Sequence, residues 1–149
     1  MPSAEDHRKA AAVILYDGVC GLCNRSVRFV LRHDREGIFR FASLQSAAAR
    51  QILARHGMTP DALDTFYVVT DFGLANERVL SKSDAVIYTV EILDGIWKAA
   101  KILRFVRRRV RDWTYGIVAR HRYQVFGKYD ACPLPEARYR DRFIELGKP

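Results

Sequence analysis

The sequence is poor in cysteine, with 3 cysteines in 149 residues. Small secreted domains that depend on disulfide bonds carry more cysteines at closer spacing, so the sequence does not fit that class of protein. Cys20 and Cys23 stand close together, whereas Cys132 lies far along the chain. In a reducing compartment, a close pair is expected to be catalytic, redox-sensing or metal-binding before it is a structural crosslink.

Long apolar runs are also missing. No run approaches the length of a membrane-spanning helix, and the apolar stretch near the N terminus, which Asp17 interrupts, is too short for a signal peptide. We therefore expect a cytoplasmic protein. With 49% hydrophobic and 28% charged residues, the chain is expected to form a single domain over residues 1–149 with a real core.

Acidic residues are fewer than basic ones, 17 against 25, which gives a net charge of +8. Much of the excess lies between Lys98 and Arg111, beside an apolar stripe made by Trp97, Ala100, Leu103, Val106 and Val110. We expect this stripe to pack on the core and the basic side to face solvent, with at most a weak contact to an acidic surface. No nucleic-acid motif accompanies it, so no specific nucleic-acid partner is predicted.

The cysteine pair lies at a predicted turn between a strand and a helix. The apolar run Ala11–Leu15 predicts the strand, and helical spacing of apolar residues follows Cys23. Residues three apart at a helix start lie on one side, so Cys20 and Cys23 can form a disulfide. A helix N terminus also favours the reactive thiolate. The C-x-x-C in this context predicts thioredoxin-like redox chemistry, for which no bound cofactor is required.

The two thiols are expected to play different roles. Cys20, just outside the helix, should be the attacking thiolate and lie nearest to solvent, whereas Cys23, one turn in, should be better buried and resolve the mixed disulfide. Asp17 precedes Cys20 by three residues. Its carboxylate could accept the proton of the resolving thiol, oppose thiolate formation, or simply form the turn before Gly18.

Other interpretations of the same residues stay open. The two thiols could be small core residues, or ligands of a zinc site, which requires four ligands. The side chains that could complete such a site are Cys132, His33, His56 and His121. None of them forms a second close pair. A third interpretation is a binding adaptor that acts through the basic helix.

Periodicity and turn residues predict the order β-α-β-α-β-β-α between about residues 11 and 95. Ser46 should cap the second helix, and Ser81 with Asp84 should open the third as a capping box. From about 96 to 149 we predict a helix to about Arg111, a second helical segment from Trp113, and an irregular tail. The fold class is therefore α/β, with a thioredoxin-like core and additional C-terminal helices.

An ordered set of motifs resembles the DCC family. Its members are described as predicted thiol–disulfide oxidoreductases of thioredoxin-like fold and are named for a D-x-x-C-x-x-C motif. The resemblance implies a redox pair at Cys20 and Cys23, with Asp17 as a motif residue. From the exchange chemistry itself we expect a disulfide- or thiol-containing protein or small molecule as substrate and an upstream thiol reductant. The matching residues are Asp17-Gly18-x-Cys20-x-x-Cys23, Arg32-His33-Asp34, Leu44-Gln45-Ser46, Ser83-Asp84-Ala85, Tyr123-x-x-Phe126-Gly127 and Cys132-Pro133.

Overall fold

The computed structural model describes residues 12–58, 66–93, 102–128 and 137–144. The strands are β1 (Ala12–Tyr16), β2 (Phe39–Ser43), β3 (Tyr67–Thr70) and β4 (Arg78–Ser81). The α-helices are α1 (Gly21–His33), α2 (Ala47–Arg55), α3 (Lys82–Ile92) and α4 (Arg108–Phe126). A 3₁₀ turn covers residues 102–105, and a 3₁₀ helix covers Ala137–Arg142. The order of elements up to α3 agrees with the predicted β-α-β-α-β-β-α.

The strands form one mixed sheet in the order β2-β1-β3-β4. β1 pairs with β2 in parallel, as predicted from the helix that connects them, and with β3 antiparallel. Ile14 in β1 lies opposite Phe41 on one side and Val68 on the other. All five side chains of β1 are buried, because helices cover both faces of the sheet at this central strand.

Each face of the sheet has its own apolar cluster. Val27 and Val30 of α1 pack with Ile14 on one face, which α3 also covers. Leu53 of α2 packs with Val13 on the other face. Successive strand residues point to opposite faces, so a continuous apolar run in β1 supplies both clusters. Burial of each such side chain stabilises the fold by about 1.5–3 kcal/mol. This is the thioredoxin-like arrangement that the sequence predicted.

Of the two predicted N-caps, one forms and the other does not. Ser46 accepts a hydrogen bond from the N–H of Ala49 at 3.1 Å and begins α2 as expected. The predicted capping box of Ser81 and Asp84 is wrong, since Ser81 makes no side-chain cap bond. Asp84 turns instead to two guanidinium groups of α4, those of Arg108 and Arg111. A tertiary ion pair has replaced the local cap.

The C-terminal helix differs from the prediction in its boundaries. The predicted break between Arg111 and Trp113 is wrong, because the chain runs through it as the continuous helix α4. Within this helix, Asp112 accepts a hydrogen bond from the hydroxyl of Ser83 across the interface with α3. The helix also continues past Tyr123, where the irregular tail was expected to begin. The part of the predicted helix from about 96 to 101 lies outside the described residues, and residues 102–105 form a 3₁₀ turn where an α-helix was predicted.

The apolar stripe of this region does not pack on the core. Leu103, Val106 and Val110 are all exposed, so the predicted orientation is wrong for the described part of the stripe. The side of α4 that faces the protein is polar, and its one buried residue is Arg122. None of the described helices combines the length and the apolar character needed to cross a membrane.

Candidate active site

Cys20 is the N-cap residue of α1, directly after the turn that follows β1. Its Sγ accepts a hydrogen bond from the N–H of Cys23 at 3.4 Å. The turn is closed by the N–H of Cys20, which donates to the carbonyl oxygen of Asp17 at 3.2 Å. Asn24 clamps it further, with Nδ2 donating to the carbonyl oxygens of Gly18 at 2.8 Å and Cys20 at 2.9 Å. The sulfur is thus held at the N terminus of α1, where the N–H of Cys23 donates to it.

The two thiols have pKa values shifted in opposite directions. The pKa of Cys20 is lowered from 9.0 to about 6, chiefly by the hydrogen bond from the Cys23 side chain, although burial opposes the shift. The N–H of Cys23 and the positive charge of Arg122 lower it further. The pKa of Cys23 is raised, because its thiol is hydrogen-bonded to Cys20, buried, and close to that sulfur's negative charge. Near neutral pH the pair therefore holds one thiolate, on Cys20, and one thiol, on Cys23.

The exposure of the two thiols is the reverse of the prediction. Cys20 is fully buried, at 0% exposure, whereas its partner in the pair is half-buried. Residues 126–128, which we call the cover segment, lie against the turn. Gly21 donates its N–H to the carbonyl oxygen of Gly127 at 3.1 Å, and Cys20 forms a β-bridge with Lys128. The prediction that Cys20 lies nearest to solvent is therefore wrong, because a distant part of the chain covers it.

The fit of the cover segment depends on two glycines. A Cβ at Gly21 would lie 2.1 Å from the carbonyl oxygen of Phe126, a distance that no side chain tolerates. Gly127 has φ 81° and ψ 170°, a backbone conformation that only glycine adopts readily. Glycine at both positions therefore allows the two backbones to approach.

Asp17 is buried beside this turn and is bound by four donors. Oδ1 accepts hydrogen bonds from the N–H of Val19 at 3.1 Å and from Nε2 of Gln45 at 2.7 Å. Oδ2 accepts from Nη2 of Arg122 at 3.1 Å and from the hydroxyl of Tyr123. The bond to Val19 bears out the turn-forming interpretation of Asp17. The bond from Gln45 joins the turn to the loop after β2, and the bonds from Arg122 and Tyr123 join it to the far end of α4.

Arg122 brings a positive charge to the dithiol. Arg122 is 5% exposed, and its Nη2 lies 3.1 Å from Oδ2 of Asp17. Its charge acts to lower the pKa of both cysteine thiols. Burial and the hydrogen bond to Asp17 raise the pKa of Tyr123 to about 12, which keeps its hydroxyl protonated as a donor. The site is thus a dithiol beside a buried, neutralised ion pair.

An apolar groove of about 570 Å³ begins at Cys23 and runs between α1, α3 and α4. Its apolar walls include Leu22, Phe29, Phe66, Val86, Val90 and Val118. The hydroxyls of Ser26, Thr89 and Thr114 also line it, but each donates to a carbonyl oxygen of its own helix. The surface that the groove offers to a ligand is therefore mainly apolar, with Arg25 and Arg122 as its charged members.

The residues considered for a zinc site do not come together in the described parts of the chain. No group of three His, Cys, Asp or Glu side chains converges there. Nδ1 of His33 contacts the carbonyl oxygen of Phe29, and Nδ1 of His121 contacts that of Ile117. His56 pairs with Glu77. Cys132 lies outside the described residues.

Three residues of the site were missed by sequence reasoning. Asn24, Gln45 and Arg122 were not predicted as site residues, and neither Asn24 nor Arg122 carried a signal of its own, since each is a polar residue in a helical pattern. Gln45 and the neighbour of Arg122, Tyr123, did appear in the motif set, but only the fold shows that they meet at Asp17. Arg122 was hidden among the many basic residues of its region.

Comparison with known proteins places the chain in a family. A family model described as DCC1-like thiol-disulfide oxidoreductase matches residues 14–128. The chain is 36% identical over 132 residues to the protein named uncharacterized protein YuxK from Bacillus subtilis (strain 168), covering 89% of this chain and 93% of that protein. It is 40% identical over 123 residues to a DCC family protein from Arabidopsis thaliana, named as chloroplastic, covering 82% and 69%. No solved structure matches the chain. The chain belongs to the DCC1-like thiol–disulfide oxidoreductase family, and its C-x-x-C pair lies at the start of the first helix.

Proposed function

We propose that this protein catalyses dithiol–disulfide exchange, with Cys20 as the attacking thiolate and Cys23 as the resolving thiol. The observation that carries the proposal is the opposite pKa shift of two thiols that contact each other at a helix N terminus. A thiolate at neutral pH is the nucleophile that disulfide exchange requires. A neighbouring thiol that stays protonated cannot compete for the first attack.

The reaction balances in two steps. The Cys20 thiolate attacks one sulfur of a substrate disulfide, the substrate S–S bond breaks, and the other sulfur leaves as a thiolate. Cys23 then gives its proton to the first substrate thiolate and attacks Sγ of Cys20. This attack breaks the mixed disulfide and releases the second substrate sulfur as a thiolate. Two electrons pass from the protein dithiol to the substrate, and the protein becomes a Cys20–Cys23 disulfide. A thiol reductant returns it to the dithiol form.

Access to Cys20 requires movement of the cover segment, since that sulfur is fully buried. The substrate's other atoms would lie in the apolar groove, whose wall includes Cys23. A volume of about 570 Å³ is within the range of about 300–1,000 Å³ usual for ligand pockets. The groove therefore suits either a small disulfide or one apolar side chain of a protein substrate.

Asp17 acts in this proposal mainly by positioning. Its Oδ2 accepts a hydrogen bond from Nη2 of Arg122 and holds the guanidinium next to the dithiol, where the positive charge favours the Cys20 thiolate. The other role considered from the sequence, as proton acceptor for Cys23, requires Asp17 to release one of its four donors first. The cytoplasmic location stays a prediction.

The assignment of roles is tested by trapping. In a Cys132→Ser background, Cys23→Ser should accumulate mixed disulfides with substrate through Cys20, because no resolving thiol remains. Cys20→Ser is the matched control and should trap little. Mass spectrometry after acid quenching would count the adducts on each variant. Equal trapping by both variants, or trapping by Cys20→Ser alone, would overturn the assigned roles. The second outcome would mean that Cys23, the more exposed of the two thiols, makes the first attack.

A further inference from the structure

Helix α4 is oriented with its polar side toward the protein. Arg108 and Arg111 pair with Asp84 of α3, at 3.1 Å and 3.2 Å. Tyr115 accepts a hydrogen bond from the N–H of Phe66 at 2.8 Å. Most surface helices bury an apolar stripe and expose the charged one. In α4 the inward side is held by ion pairs and hydrogen bonds, which leaves the apolar side without the core as its partner.

The side of α4 turned away from these ion pairs carries a row of exposed apolar side chains. Its exposed members, which we call the outer face, are Val110, Trp113, Ile117, Val118 and Val125. Trp113 is 65% exposed, and Phe105, just before the helix, is 90% exposed. Single exposed apolar side chains are common on the surfaces of soluble proteins, but a row of them along one helix is typical of an interaction site.

The charges around the outer face have one sign. Arg107, Arg109 and Arg120 are exposed beside it. The one acidic residue between positions 102 and 128 is Asp112, which is bound to Ser83 on the inward side. A second copy of this chain would bring these arginines toward each other, so the charge pattern disfavours self-association. It matches a negatively charged partner instead.

We propose that the outer face of α4 binds the surface of an anionic lipid membrane. An exposed apolar stripe with a tryptophan, flanked by arginines, is the pattern of a helix that lies in the membrane interface with its axis parallel to the surface. The apolar side chains enter the boundary between headgroups and acyl chains, and the arginines meet the headgroups. Val118 belongs both to the outer face and to the wall of the groove, so docking would place the groove mouth beside the lipid.

Vesicle binding with a single-tryptophan protein tests this proposal. The chain has 2 tryptophans, so Trp97→Phe leaves Trp113 as the reporter. With vesicles of phosphatidylcholine mixed with phosphatidylserine, the protein should cosediment and the Trp113 emission should shift to the blue. With phosphatidylcholine alone, both effects should be much weaker. Neither readout uses the cysteines, so the result does not depend on the redox function.

Two charge-reversal pairs locate the surface. In the same background, Arg109→Glu with Arg120→Glu should lower the vesicle partition coefficient by about tenfold or more, because each basic residue near the membrane contributes to binding. The control, Arg35→Glu with Arg50→Glu, makes the same change in net charge at exposed positions outside α4 and should lower it by only about twofold.

Four outcomes would overturn the proposal. An equal loss in both pairs would indicate general adhesion of a cationic protein. Equal binding to phosphatidylcholine alone would remove the anionic requirement. Cosedimentation without a Trp113 shift would place the contact elsewhere on the protein. Absence of binding, together with a concentration-dependent dimer in light scattering, would assign the outer face to a second copy of the chain.

Discussion

Three favourable influences act on the sulfur of Cys20. The Cys23 side chain donates a hydrogen bond to it, and the N terminus of α1 adds the N–H of Cys23 at 3.4 Å. Arg122 adds a fixed positive charge. Burial alone would raise the pKa of this thiol, so the lowered value shows that the specific contacts outweigh desolvation.

The thiolate should therefore titrate well below an ordinary cysteine. In a Cys132→Ser protein in the dithiol form, ultraviolet thiolate absorbance should rise with a midpoint at pH about 6, with Cys20 protonated below it and ionised above it. Cys23→Ala removes the side-chain donor and should move the midpoint upward. Cys23→Ser keeps a hydroxyl donor and should move it less. The same midpoint in all three proteins would contradict the assignment of the Cys23 contact as the main cause.

We expect the cover segment to control whether this thiolate can react, because it lies against the turn that holds Cys20. Gly21→Ala should displace it, because the new Cβ would lie 2.1 Å from the carbonyl oxygen of Phe126. The expected result is faster alkylation of Cys20 in the folded protein, measured by mass spectrometry at fixed pH. Gly127→Ala should act in the same direction by straining the positive φ at that position.

Gly116→Ala is the matched control for these variants. Its Cβ would meet nothing closer than an Arg120 side-chain nitrogen at 3.8 Å, and alanine is the better helix former inside α4. Its alkylation rate at Cys20 should equal that of the parent protein. If Gly21→Ala and Gly127→Ala also leave the rate unchanged while the protein stays folded, the cover segment does not control access.

Elements with local signals were predictable from sequence, and those set by distant contacts were not. The first strand and the Ser46 cap both follow from short-range patterns. The Ser81 cap fails because Asp84 is taken by arginines of α4. Periodicity found the apolar stripe of the C-terminal region, but it cannot say which side of a helix meets the core.

The candidate site shows the same limit. Cys20, Cys23 and Asp17 could be named from motif and spacing, and the structure brings them together around one turn. Arg122 was not named, and Phe126 and Gly127 of the cover segment appeared only as a motif match without a place in the site. Both parts reach the site from more than a hundred positions away, 105 in the case of Arg122. The prediction that Cys20 lies nearest to solvent was wrong for this reason, since a helix N terminus is exposed only when no other part of the chain packs on it.

At the scale of the whole molecule, the Asp17–Arg122 pair joins the end of the first strand to the last helix. Both side chains are buried, at 1% and 6% exposed. Arg122→Met should lower the free energy of unfolding by about 3–5 kcal/mol, because it leaves a buried carboxylate without its cation. Asp17→Asn combined with Arg122→Met should cost less than the sum of the two single changes.

Arg104→Met provides the comparison, since Arg104 pairs with Glu91 while 60% exposed. Arg104→Met should lower the free energy of unfolding by less than about 1 kcal/mol, with all these variants measured by urea titration. Additive costs for Asp17→Asn and Arg122→Met, or a cost for Arg122→Met no larger than that for Arg104→Met, would show that this pair does not tie the C-terminal helix to the active-site turn.

The most direct test of the central claim is a redox titration of the purified, metal-free protein in glutathione buffers, with mass-tagged alkylation counting each cysteine separately. The account predicts one reversible two-electron transition between about −120 and −270 mV, the range of known dithiol oxidoreductases, confined to Cys20 and Cys23. Its midpoint would show whether the protein acts as reductant or oxidant. Thiols at these positions that never pair, particularly in protein isolated with stoichiometric zinc, would contradict the exchange mechanism.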